Sequence, residues 1–104
     1  MSVYSTLLAT FNTTTAQVTY YTVPAGTTVV IRDIEATDFS GVANTLFIQI
    51  GVTGFTQTVI EPQTSASVRW VQWKGRLVLP AGGILQSASS SAGHSVAVSG
   101  YLLS

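Results

Sequence analysis

Apolar and polar positions alternate along most of this chain in short runs, and each run stops at Gly, Pro, Asn or Ser. Between Thr45 and Val52, Leu46, Ile48, Ile50 and Val52 fall on one phase. Thr45, Gln49 and Gly51 fall on the other, with Phe47 among them. Between Ser95 and Leu103 the same period separates Val96, Val98 and Leu102 from Ser95, Ala97 and Ser99. A period of two places one face of a strand on a core and leaves the other free. Runs of this kind cover 3–11, 17–23, 28–37, 45–52, 55–61, 66–73, 76–79, 84–88 and 95–103. The pattern predicts an all-β fold, an antiparallel two-sheet β-sandwich, jelly-roll-like, of about eight strands. The break at 87–94 predicts a loop, and no run has a helical period.

Three details refine that picture. In 28–37, Val29 and Ile31 lie on one phase and Ile34 and Ala36 on the other. One extra residue flips the facing of a strand, so a bulge is expected near Arg32 and Asp33. In the first run Leu7, Ala9 and Phe11 are expected to share a face. Val23-Pro24-Ala25-Gly26 is echoed by Leu79-Pro80-Ala81-Gly82, which predicts two matching type I turns at strand corners.

The 104 residues suit one domain, 1–104, with enough chain to bury a core without disulfides or metals. There is no cysteine, so neither a disulfide nor a thiolate metal site can form. Only 8% of residues are charged, against about 25% in ordinary soluble domains, and the formal net charge is zero. That leaves no footprint for nucleic acid or an anionic membrane, and it favours association over dispersal. Ser and Thr, 27 of the 104 residues, take over as the wettable surface. All eight charges lie between Arg32 and Arg76, so the first and last strands are expected to form surface that a partner covers. The start of the chain has neither a basic segment nor a long apolar run, and synthesis in the cytoplasm of the cell that makes it is expected.

Candidate chemistry is sparse. His94, the only histidine, sits between Gly93 and Ser95 and is expected to be a solvated loop residue, not a catalytic base. Asp33, Glu35 and Asp38 are spaced so that they could offer oxygens to a hard cation, but no complete calcium loop is present. No catalytic residue, metal site or cofactor is assigned, and an enzyme is not expected. Trp70 and Trp73 are three apart and so face opposite ways on a strand. With Val68 and Trp70 on the core face, Trp73 is expected outside beside Arg69 and Val71, as an interface anchor or a sugar platform. Tyr20, Tyr21 and Tyr101 complete the interface candidates. Asn12-Thr13-Thr14 matches a glycosylation triplet but reads as a chance match.

The run Thr22-Val23-Pro24-Ala25-Gly26-Thr27-Thr28-Val29-Val30-Ile31-Arg32-Asp33-Ile34, the stretch from Trp73 to Gly83 and the terminal Val98-Ser99-Gly100-Tyr101-Leu102-Leu103 together resemble small β-sandwich structural proteins of tailed bacteriophages. The resemblance covers most of the chain and rests on style and turn placement. It implies a non-enzymatic virion subunit on the capsid surface, neck or tail. It implies oligomerisation too, with a trimer favoured, and contacts with other virion proteins such as the major capsid or tail proteins. The alternative is a carbohydrate-binding or host-surface-binding module centred on Trp73.

Overall fold

A computed structural model describes residues 6–52, 54–91 and 93–103. Among these residues nine strands follow one another: β1 (Thr6–Asn12), β2 (Val18–Thr22), β3 (Thr28–Asp38), β4 (Asn44–Val52), β5 (Phe55–Ile60), β6 (Gln63–Thr64), β7 (Trp70–Leu79), β8 (Ile84–Ser89) and β9 (His94–Leu103). They form two antiparallel sheets. One has the order β1-β9-β3-β7, and the other β2-β8-β4-β5, with the short β6 also on β4. Consecutive strands alternate between the sheets up to β4, β5 stays beside β4, β7 returns to the edge beside β3, and β8 and β9 insert between earlier strands. That interleaving is the jelly roll. The runs expected at 66–73 and 76–79 are one strand, since β7 is unbroken from Trp70 to Leu79 and Lys74 pairs with Asp33 of β3. Residues 3–5 of the first expected run lie outside the described residues.

The core is the set of inward positions from both sheets. Val29, Ile31, Ile34 and Ala36 of β3 meet Leu46 and Ile48 of β4, Leu85 of β8, and Val96 and Val98 of β9. The phase switch in β3 is a bulge, as its sequence predicts. From Ile31 to Ile34, β9 advances from Gly100 to Val98 while β7 advances from Leu77 to Trp73. Arg32 is the residue the bulge absorbs, so Ile31 and Ile34 both point inward although they are three apart. Gly100 sits beside the irregularity because a Cβ there would lie 2.0 Å from the Val30 carbonyl oxygen.

A second bulge in β1, between Leu7 and Ala9, corrects the facing expected there. Leu8 and Phe11 pack on the core, whereas Leu7 is exposed. The echoed Pro-Ala-Gly segments are neighbouring corners at one end of the sandwich. Each turn starts at its proline: Thr27 N–H donates to Pro24 O, and Gly83 N–H to Pro80 O. Gly26 and Gly82 then occupy the third position with φ of 74° and 81°. A positive φ there belongs to a type II turn, not the type I turn expected. The two corners bond each other, through Val23 N–H to Gly83 O and Gly82 N–H to Val23 O.

The two long edges of the sandwich differ. At the β1/β2 edge Phe11 and Tyr20 stack with ring centroids 4.0 Å apart and close the gap between the sheets. At the opposite edge, among the described residues, β5 pairs only with β4, and β7 only with β3.

Candidate functional site

The polar chemistry of this chain converges on one end of the interior. His94, the first residue of β9, is fully buried (0% exposed), which overturns the solvated loop residue expected from its Gly and Ser neighbours. Its ring lies between the ends of both sheets. Nε2 is 2.8 Å from Thr64 Oγ1, and Nδ1 is 2.8 Å from Ser89 Oγ. Thr64 Oγ1 is in turn 2.9 Å from Asp38 Oδ2. Asp38 Oδ1 accepts from both the backbone N–H and the hydroxyl of Ser40. Thr13 Oγ1 accepts from His94 N–H at 2.7 Å and sits 2.5 Å from Ser89 Oγ.

Proton counting fixes the roles. A carboxylate only accepts and a hydroxyl has one proton, so Thr64 donates to Asp38 and accepts from Nε2–H. The neutral ring then accepts at Nδ1 from the Ser89 hydroxyl, which accepts from Thr13. Every donor has an acceptor with His94 neutral and Asp38 ionised. Burial lowers the His94 pKa, against the opposing pull of the Asp38 charge. Burial also works to raise the pKa of Asp38. The hydrogen bonds from the Ser40 side chain and backbone, then Thr64, then the His94 charge, outweigh it and lower that pKa.

This constellation includes acid, base and hydroxyls, yet it is closed on itself. Asp38, Thr64, Ser89, His94 and Thr13 are all buried, and each hydroxyl is committed. It ties the β1–β2 connection, β3, β6, β8 and β9 together, and its chemistry is that of a structural staple. The sequence offers no motif for it, because its members are scattered from position 13 to position 94.

The other acids are placed elsewhere. Asp33 and Glu35 lie on the outer face of the first sheet, where Gln72 Nε2 donates to Asp33 Oδ2 at 3.1 Å and Glu35 Oε1 at 2.9 Å. Asp38 points into the sandwich, so the three acids do not share a site. Arg32, Lys74 and Arg76 join Asp33 and Glu35 on β3 and β7, while β1, β2, β8 and β9 carry no Asp, Glu, Lys or Arg.

The interface candidates divide by facing. Trp73 and Val71 are half-buried and pack on the core, so the facing expected for β7 is reversed. Trp73 lies over Gly75, where a Cβ would come 2.6 Å from its ring. Trp70 is the outward ring, 54% exposed, and Val68 is exposed beside it. The strand begins at Trp70, so Val68 does not set its phase. Arg69 is exposed just before the strand. Tyr20 stacks on Phe11, and Tyr21 packs on the core. Tyr101 is half-buried opposite Val30. Trp73 and Val71 line an apolar cleft of about 150 Å³ with Ile34, Leu46, Ile60 and Pro62. The cleft opens at the β5/β7 edge.

No protein-family model matches the chain, and no curated protein matches its sequence. Solved structures do match. A crystal structure of a pentameric capsid protein isolated from metagenomic phage sequences, solved by iodide SAD phasing, is 22% identical over 92% of this chain and 63% of its own, with a TM-score of 0.45. A second crystal structure of a pentameric capsid protein from metagenomic phage sequences is 24% identical over 93% and 62%, with a TM-score of 0.42. A chain in the structure of the infectious bursal disease virus Gx strain is 14% identical over 97% of this chain and 31% of its own, with a TM-score of 0.52. This chain therefore spans less than two thirds of each of these three. Its likeness to the bursal disease virus chain is one of fold: the jelly roll described above also occurs in a virus structure.

Proposed function

We propose that this chain is a non-enzymatic structural protein of a virus particle. In this reading it is an accessory subunit of a tailed phage, a capsid decoration or a tail or neck component. It works by packing with copies of itself, most simply as a trimer, and against other virion proteins. The observation that carries the reading is the closed use of polar chemistry. The one histidine and the buried acid are spent on a staple inside a jelly roll, and seven of the nine strands among the described residues, all but β3 and β7, contain no Asp, Glu, Lys or Arg. Surface built from such strands is suited to being covered. The fold likeness to a virus structure supports the same reading.

Native mass measurement together with immunodetection in purified particles tests it. A defined homo-oligomer that co-purifies with particles is expected. A chain that stays monomeric at high concentration and never enters particles overturns it. Trp70, exposed where Trp73 is not, supports one second reading, carbohydrate binding. Glycan-array binding that Trp70→Ala abolishes with the fold intact would favour that reading instead.

A further inference from the structure

The β5/β7 edge is built unlike its opposite. Phe55–Ile60 of β5 contains no charge and no proline, and its outer backbone groups face no strand among the described residues. Soluble proteins ordinarily blunt such an edge. Here Phe55 is 82% exposed, and Val52, Val59 and Val78 are exposed near it. The apolar cleft at one end of the edge brings Ile60 and Pro62 together with Val71 and Trp73. A second depression at the other end brings Phe55 and Val59 together with Val78 and Pro80. The start of β5 is therefore level with the end of β7, and the two strands run antiparallel across the gap.

The two lips also differ in charge. Arg69, Lys74 and Arg76 border the β7 lip, and Glu61 ends the β5 lip at the level of Val71 to Trp73. None of these four side chains makes an ion pair among the described residues. Rotation about an axis parallel to the strands keeps both strand direction and level. It sets β5 of one copy antiparallel to β7 of the next, with Glu61 facing Arg69 and Lys74 of its neighbour. The same operation brings the apolar clefts together around the axis.

We propose that the β5/β7 edge is the contact between copies of this chain, with β5 of each copy adding to the sheet that ends in β7 of the next. The partner is a second copy, because the edge is complementary to itself in strand direction, level and charge. The proposal rests on the homo-oligomer reading above and specifies its surface.

The absence of native cysteine allows a clean test. In the double variant Gln57→Cys/Arg76→Cys, the two thiols of one copy lie on different sheets about 10 Å apart, too far for a disulfide within the chain. Mild oxidation is expected to yield a ladder of covalent multiples ending at the copy number found by native mass. Each single variant lacks the facing thiol and is expected to give no ladder, with at most a linked pair from chance collision of two oligomers. Glu61→Lys is expected to weaken self-association several-fold, and Glu61→Lys/Lys74→Glu to restore it. An oligomer by native mass that gives no ladder and ignores both charge variants overturns this surface and leaves the homo-oligomer reading standing. A monomer by native mass overturns both.

Discussion

His94 reaches Asp38 through a hydroxyl: Nε2 lies 2.8 Å from Thr64 Oγ1, which donates to the carboxylate. The histidine comes from β9, the acid from the end of β3 and the threonine from β6, so one relay holds three segments at the same end of the sandwich. Its stability and its acid sensitivity follow from the same proton count.

Acid should destabilise the protein in two stages. The folded state holds His94 below the ordinary imidazole value of 6.5. Above that value both folded and unfolded chains carry a neutral ring, and the contribution is fully present. As pH falls below 6.5 the unfolded chain binds a proton that the folded chain resists, and stability is lost. Asp38 is held below 3.8, so a further loss of the same sign begins there. Thermal melts from pH 8 to pH 4 should show a falling midpoint below about pH 6.5, and His94→Gln should flatten that first step. A midpoint that rises on acidification would contradict the neutral-ring assignment.

Thr64→Val keeps the shape of the side chain and removes the relay. It leaves His94 Nε2–H and Asp38 Oδ2 without the partner each has now. Unpaired buried groups cost about 1–3 kcal/mol each, so a loss of roughly 2–6 kcal/mol is expected in urea unfolding. An unchanged midpoint would show that the relay contributes nothing.

Gly100→Ala should be among the most damaging small changes. The added Cβ meets backbone, the Val30 carbonyl oxygen and Ile31 Cα, and neither can rotate away. Overpacking of this kind costs about 1–3 kcal/mol or more. Gly26→Ala meets open space and suffers only the cost of its positive φ, about 1 kcal/mol. Denaturant midpoints of the two variants should differ in that order.

The two tryptophans should separate by their facing. Trp73→Ala should lose stability toward the lower end of the roughly 3–5 kcal/mol seen for buried tryptophan, because the ring is half-buried. Trp70→Ala should change stability by about 0.5 kcal/mol or less. In single-tryptophan variants, Trp70 fluorescence should be the more readily quenched by iodide. The reverse order would restore the facing expected from the sequence.

The strands were legible because alternation is a local signal, readable from a handful of neighbours. The bulge at Arg32 was legible for the same reason, since the in-phase set changes from Val29 and Ile31 to Ile34 and Ala36 within one strand. Leu7 was misplaced because the bulge in β1 falls where Leu7 and Leu8 are both apolar and offer no phase to compare. The facing of β7 was not legible either. A period of two allows two phases, and Trp70 and Trp73 satisfy either one.

By itself the sequence determined what local chemistry can specify: an all-β chain, most of its strand limits, and a surface low in charge. The tertiary structure decided which face of β7 meets the core, because only the opposite sheet distinguishes inside from outside. It also decided that His94 is buried. Gly93 and Ser95 beside it say loop, but the partners that satisfy its ring lie in other strands, and only the closing of the jelly roll brings Thr13, Asp38, Thr64 and Ser89 to it.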